Sequence, residues 1–423
     1  MVYVKRDLEI ILKKRLDAPE ILAILGSRQC GKTTLLKHIS KNLKSVKFIS
    51  FEDPDILHLF EEDVKVFAEF YLKNCKILII DEFQYAKAGG QKLKYIYDTY
   101  PNKKLIISGS SALELTIQAT KYLVGRIFIF YLYPFNFCEY LEYKDKELKN
   151  NFFLKIQREI KEKCYQLSDN LPNLPDALCK RLAILMDNFI VYGGYPRQVT
   201  TNDTNEKKIV LRNIYITYML KEIREILNLS ADYELSKLVK TLSLQIGNLV
   251  VLKELSNFTN LGYERLLKHL NILEKTFVVK LLNPYYSNKL QELVKSQKVY
   301  FYDSGFRNII IDAMGEANLR TDTGALYENM VFSELVKNGV IPKFWRTKSK
   351  AEVDFILEKH NHLVPIEVKF NLNSITLNRS MINFIKKYKP TAAFVLSRDF
   401  YGIRKFENTV VYFLPLFLVN CVV

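Results

Sequence analysis

"EILAILGSRQCGKTTLL", residues 20–36, runs from five apolar residues through a glycine-bounded turn into a helical pattern. Gly26, Ser27, Arg28, Gln29, Cys30, Gly31, Lys32 and Thr33 fit the spacing Gly-x-x-x-x-Gly-Lys-Ser/Thr. They also stand where such a loop must stand, after a strand and before a helix. Its glycines let backbone amides turn inward on phosphate oxygens, and the helix N-terminus adds positive potential. Lys32 is therefore the candidate to neutralise the β and γ phosphates of a nucleotide. The Thr33 hydroxyl would hold Mg2+, and Thr34 completes the lining.

A second half of such a site follows in "KILIIDEFQ", residues 76–84, where an apolar strand ends at Asp81 and Glu82. Asp81 would hold the metal through water, and Glu82 would orient and polarise the attacking water. "IISGSS", residues 106–111, closes a further apolar strand with hydroxyls. In a parallel sheet neighbouring strand ends meet at one crevice, so Ser110 or Ser111 either senses the γ-phosphate or caps the next helix.

Outward from these motifs, residues 21–131 alternate β-rich runs with segments of helical length, which predicts an α/β fold with a parallel sheet covered by helices on both faces. Between about 150 and 230 the strands give way to charged amphipathic stretches, the pattern of a helical lid. The run "NLVVLKELSNFTNLGYERLLKHLNILEKTFVVKLL" reads as helix, turn from Thr259 to Gly262, helix and β-rich run, the order of a winged helix. Leu266, Leu267, Leu270 and Leu273 form its expected buried stripe. Arg265, Lys268 and Lys275 then face solvent as candidate DNA contacts. After about 295 a mixed α/β pattern returns.

The 423 residues exceed what one core organises, and 62 basic against 46 acidic side chains leave a formal charge of +16. Either an anionic partner, nucleic acid first, or a solvated lysine-rich surface accounts for that surplus. Six cysteines without a Cys-x-x-Cys pair indicate neither a zinc knuckle nor a disulfide framework, which suits a reducing, cytoplasmic setting. No run of about 18 apolar residues occurs, so no membrane span is expected.

Taken together, "GSRQCGKTTLL", "LIIDEFQ", "ISGSS", "LVGR" at 123–126, "YPFNFCEYL" and "YGGYP" resemble the prokaryotic AAA+ ATPases often called archaeal-type ATPases. The resemblance implies ATP with Mg2+, a lid over the adenine and assembly into a homo-oligomer, with a hexamer among the candidates. In such assemblies an arginine of one subunit reaches its neighbour's γ-phosphate. Arg126 is the candidate, and a surface salt bridge would explain it equally. Tyr192 to Arg197, around Pro196, resemble a lid segment that meets adenine in signal-transduction ATPases, or form an interhelix turn.

Near the other end stands "AEVDFILEKHNHLVPIEVKF", residues 351–370. Alternate residues of a strand share a face, so a hairpin through "EKHNH" would project Asp354, Glu367 and Lys369 together. His360 and His362 fall in that expected turn and read as loop histidines. Two acids beside a lysine suit a phosphodiester-hydrolysing metal site. This is the Asp, Glu-x-Lys signature of the restriction-endonuclease-like fold, and Glu328 in "GALYENMVFSEL" takes the place of its first acid. The resemblance implies Glu328, Asp354 and Glu367 as ligands of a second Mg2+ or of Mn2+. Val353 replaces the proline that commonly precedes the aspartate.

The expected organisation is therefore an ATPase core over 1–145, a helical lid over 146–230, a winged helix over 231–292 and a nuclease-like domain over 293–423. Two functions fit it. One is an ATPase acting on DNA, branched or junction DNA included. The other is a regulatory switch, in which the nucleotide sets assembly and a catalytically silent C-terminal domain binds protein or DNA.

Overall fold

The computed structural model describes every residue except 1, 42, 111–120, 224–226, 228–232, 360–361 and 423, and for residues 219–222 the backbone alone. Ser111 and His360 thus lie outside the described residues. Two compact units emerge, one of residues 1–135 with 271–278, the other of residues 136–270 with 279–423.

In the first unit, β1 (Ile21–Leu25), β2 (Val46–Ser50), β3 (Ile77–Asp81), β4 (Lys104–Gly109) and β5 (Ile127–Tyr131) form one parallel sheet ordered β2-β3-β4-β1-β5. Strands covered on both faces need continuous apolar runs, and every residue of β1 and β4 is buried. Leu22 and Ile24 pack with Leu35, Leu36 and Ile39 of the helix Lys32–Ser40 and with Ile79 and Ile106 of the adjoining strands. From β1 the chain passes over β4 and β3 to reach β2, so the strand order reverses beside β1. The crevice created there, at the carboxyl ends of β1, β4 and β3, is where open α/β sheets take their ligands.

The second unit is richer in helix at its start. Phe137–Lys144, Leu154–Tyr165, Asp176–Tyr192, Pro196–Thr200 and Thr204–Ile214 are followed by Tyr233–Leu244, Leu252–Thr259 and Tyr263–Lys275, whose last residues cluster with the first unit. An antiparallel ribbon of β6 (Val279–Leu282) and β7 (Lys298–Phe301) comes next. The C-terminal sheet holds β8 (Lys343–Arg346), β9 (Glu352–Lys359), β10 (His362–Val368), β11 (Ala392–Ser397), β12 (Gly402–Phe406) and β13 (Thr409–Pro415), ordered β12-β13-β11-β10-β9-β8. β10 pairs antiparallel with β9 and parallel with β11, which makes this sheet mixed.

Buried polar contacts knit this unit across long stretches of sequence. Both carboxylate oxygens of Glu334, in the helix Thr323–Lys337, accept the Phe137 N–H, at 3.1 and 3.2 Å. The Asp303 carboxylate accepts the N–H of Gly194 at 2.7 Å and of Phe306 at 2.8 Å. The Asn308 amide donates to the carbonyls of Ile190 and Val191, at 3.2 and 2.9 Å, where Asp176–Tyr192 ends. Gly193 is obligatory in that turn: its φ is +73°, and a Cβ would lie 2.1 Å from Asp303 Oδ1.

Three sequence expectations shift. Leu266, Leu270 and Leu273 are buried, but Leu267 is exposed, and His269 and Ile272 complete the stripe in its place. Lys275 is half-buried rather than free in solvent, whereas Arg265 and Lys268 are exposed. His362, expected in a turn, is the first residue of β10.

Candidate functional site

The phosphate-binding loop leaves β1 at Gly26 and enters the helix Lys32–Ser40 through Gly31, which occupies the N-cap with a left-handed backbone. At Gly26 a Cβ would lie 2.0 Å from the Leu132 carbonyl oxygen, so the close approach of the chain leaving β5 demands glycine. Arg6 donates to the Cys30 carbonyl at 2.9 Å, which pins the loop from outside. Lys32 is buried and donates to the carbonyls of Gly26 and Ser27, at 3.0 and 3.1 Å. The Ser27 hydroxyl is buried within the loop with no hydrogen-bond partner among the described residues.

Strand pairing then brings the second motif to the first. Thr33 Oγ1 donates to Asp81 Oδ2 at 2.6 Å, and the Ser108 hydroxyl donates to Asp81 Oδ1. Ile80 faces Ile107 in the β3–β4 register, which sets Asp81 beside Ser108. Glu82 follows in a left-handed conformation, φ 54° and ψ 43°, an uncommon state for a residue with a side chain and one that clusters at functional sites. Burial pushes its carboxyl above the usual range, opposed by the charge of Lys32 and by the amide of Gln84.

Gln84 was not singled out by sequence. Its Nε2 donates to Glu82 Oε2 and, at 3.1 Å, to the Ser110 hydroxyl, while the Ser110 N–H donates to its Oε1 at 3.3 Å. One amide thus spans the end of β3 and the end of β4. Ser110 is buried at this junction.

These groups could hold a Mg2+-bound nucleotide, with phosphates on Lys32 and the loop amides and metal on Thr33 and, through water, on Asp81. Arg126 lies elsewhere in the first unit, with Nε 2.9 Å from Asp98 Oδ1 and its guanidinium over the Tyr97 ring.

In the second unit, Ile366 faces Phe355, so Glu367 of β10 lies across from Asp354 of β9. Asp354 Oδ2 accepts the Val368 N–H at 2.8 Å. Burial and the negative charges of Glu367 and Glu328 push the Asp354 carboxyl well above the usual range. Glu367 is raised mainly by burial, against the pull of Lys369, whose Nζ lies 2.6 Å from Glu367 Oε1. The same Oε1 accepts from Asn378 at 2.6 Å, while Oε2 is buried and, among the described residues, without a partner. Glu328 contributes to the same electrostatic cluster from the helix Thr323–Lys337, where Tyr300 and Lys298 both donate to its Oε1. Among the described residues, no group of three or more His, Cys, Asp or Glu is arranged to hold a metal ion.

Pro196 begins the short helix Pro196–Thr200, directly after the Gly193–Gly194 turn fastened to Asp303. Arg265 is ion-paired with Glu234. Among the described residues no helix is long and apolar enough to cross a membrane.

Residues 18–141 match the family model of an AAA domain, residues 184–317 that of a domain of unknown function, DUF8612, and residues 323–417 that of another, DUF4143. The first unit is accordingly a P-loop domain of the AAA type, and a sheet-rich C-terminal region follows it. An uncharacterized protein of Methanocaldococcus jannaschii, MJ1544, is 25% identical over 401 residues, spanning 91% of this chain and 82% of its own. An uncharacterized protein of Haemophilus influenzae is 25% identical over 394 residues, spanning 88% of this chain and 87% of its own. Among solved structures, the Walker-type ATPase paby2304 of Pyrococcus abyssi is 17% identical, with a TM-score of 0.47, over 73% of this chain and 96% of its own.

Proposed function

We propose that the chain is a Mg2+-dependent ATPase whose nucleotide cycle acts on DNA, as a cytoplasmic homo-oligomer. The observation that carries the ATPase reading is the Asp81 carboxylate held between the hydroxyls of Thr33 and Ser108, one residue before a half-buried Glu82. ATP is the substrate, and bound Mg2+ supplies charge neutralisation between its phosphates. Lys32 exchanges its two loop carbonyls for phosphate oxygens. Glu82 accepts a proton from the attacking water, and its raised carboxyl is better matched to that work near neutral pH than an exposed glutamate would be. Ser110, tied to Gln84, senses the γ-phosphate. Pro196 and its neighbours are second-tier contacts, and Arg126 is the candidate to reach a neighbouring subunit on releasing Asp98.

DNA is the partner that suits a formal charge of +16. Arg265, Lys268 and Lys275 of the winged-helix-like segment 231–292 would contact phosphates, which makes binding salt-dependent and largely sequence-independent. The region 293–423 would contribute a nuclease-like surface, with Glu328, Asp354, Glu367 and Lys369 as its acids and lysine. ATP hydrolysis should rise with DNA and lose that rise at moderate salt. Glu82→Gln should bind ATP and fall about 100-fold or more in phosphate release. Full turnover in Glu82→Gln would remove Glu82 from its role, and turnover indifferent to single-stranded, duplex and branched DNA would remove the DNA reading.

One observation favours the second reading, a nucleotide-driven switch with a catalytically silent C-terminal region. Glu328 and Glu367 are each already engaged by a lysine of the same chain. Nucleotide-dependent assembly without any Mg2+-dependent cleavage of DNA would support it.

A further inference from the structure

We infer that Lys298 takes, among the carboxylates of the second unit, the place of a divalent cation, so that the chain's own ammonium group closes this cluster. The inference rests on the reading of Glu328, Asp354 and Glu367 as a cation-binding set, and is independent of the nucleotide site.

Lys298 opens β7, and its side chain is 2% exposed. Its Nζ lies 3.0 Å from Glu328 Oε1 and 2.6 Å from Glu352 Oε1, and the Phe344 ring covers it from 5.5 Å. An ammonium withdrawn from water is costly unless carboxylates surround it. Two acids from separate elements, Glu328 on a helix and Glu352 at the start of β9, thus converge on one internal cation.

The rest of the cluster is consistent with that replacement. Arg346 takes the other oxygen of Glu352 at 2.6 Å, and Lys369 takes Glu367 Oε1. Among the described residues, what remains without a cation in contact is Asp354 and the buried Glu367 Oε2. Gly247 packs against Glu328, since a Cβ there would approach Glu328 Oε2 to 3.1 Å. Removal of the ammonium would therefore leave Glu328, Asp354 and Glu367 Oε2 as uncompensated oxygens, the hard donors that Mg2+ and Mn2+ prefer.

The test is a titration of the full chain with Mn2+, stripped of metal and free of nucleotide, reading free Mn2+ by its electron paramagnetic resonance. Wild type should show no saturable binding that Asp354→Asn removes. Lys298→Met should gain one Mn2+ site, sensitive to Asp354→Asn and at least about tenfold tighter than any in wild type. Its melting temperature should drop in chelator and recover with Mn2+, whereas Lys298→Arg should gain nothing. Wild-type binding as tight as that of Lys298→Met and dependent on Asp354 would overturn the inference and leave the cation-binding set standing. A folded Lys298→Met that binds no Mn2+ would overturn both. Should Lys298→Met fail to fold, the comparison of wild type with Asp354→Asn decides: Asp354-dependent binding in wild type overturns the inference, and its absence upholds it.

Discussion

Thr33 donates to one oxygen of Asp81 at 2.6 Å, and Ser108 donates to the other. The carboxylate is thereby oriented from two sides, one hydroxyl coming from the loop and one from the neighbouring strand. Outer-shell groups that orient the residues around a metal typically matter by about 10–100-fold in affinity or activity. Ser108→Ala should therefore raise the Mg2+ concentration for half-maximal ATP turnover about tenfold, with ATP binding retained. An unchanged Mg2+ titration would reduce Ser108 to a packing residue.

Gln84 offers a separate handle on the same reaction. Its amide is among the groups that oppose the upward push of burial on the Glu82 carboxyl. In Gln84→Leu that opposition is gone, so the Glu82 pKa rises further and the acidic limb of the kcat profile moves to higher pH, because only the ionised base accepts a proton. KM for ATP should hold while kcat at neutral pH falls, by about tenfold for each pH unit the limb moves through the assay pH. A loss of kcat with an unmoved pH profile would mean that Gln84 acts only through packing.

The acid cluster predicts an unusual stability profile. Asp354 in the folded chain has a carboxyl raised well above its unfolded value, so the folded state binds more protons and stability falls as pH rises above the unfolded value near 3.8. Asp354→Asn removes that dependence. In chelator, the melting temperature of the variant minus that of wild type should be small at acid pH and grow toward neutral. A difference that shrinks with pH would show that Asp354 is ionised and favourably paired.

Asp303 is a structural counterpart: a buried carboxylate that accepts the backbone N–H of the distant Gly194 and caps its own helix through the N–H of Phe306. Asp303→Ala leaves both unpaired and should cost about 3 kcal/mol, read by denaturant unfolding. Near wild-type stability would mean that water replaces the carboxylate.

Much of the nucleotide site was legible because its chemistry lies in contiguous residues, Gly26 to Thr34 and Asp81 with Glu82, flanked by strands whose burial the apolar runs announce. Ser108 was not, because its meeting with Asp81 depends on the register of β3 against β4. Asp354 and Glu367 were legible through strand parity, since a hairpin fixes which residues share a face. Lys298 stands on a different ribbon, and no local pattern marks a lysine as internal. In the helix Tyr263–Lys275, hydrophobicity picked Leu267 over His269, but the face turned inward includes the histidine, whose Nδ1 pairs with the Arg265 carbonyl. The "YGGYP" turn owes its conformation at least in part to Asp303, a residue about a hundred positions away that composition could not associate with it.

That last contact limits how the chain can be divided. A polypeptide beginning at residue 293 would retain Asp303, Asn308 and Glu334 but lack Gly194, the end of the helix Asp176–Tyr192 and Phe137, which those side chains hydrogen-bond in the intact chain. Each would be left as a buried polar group facing a missing partner. The acid cluster, though contained in the last third of the sequence, is therefore to be isolated together with the helices that begin near Asn136, in a polypeptide that starts there rather than at residue 293.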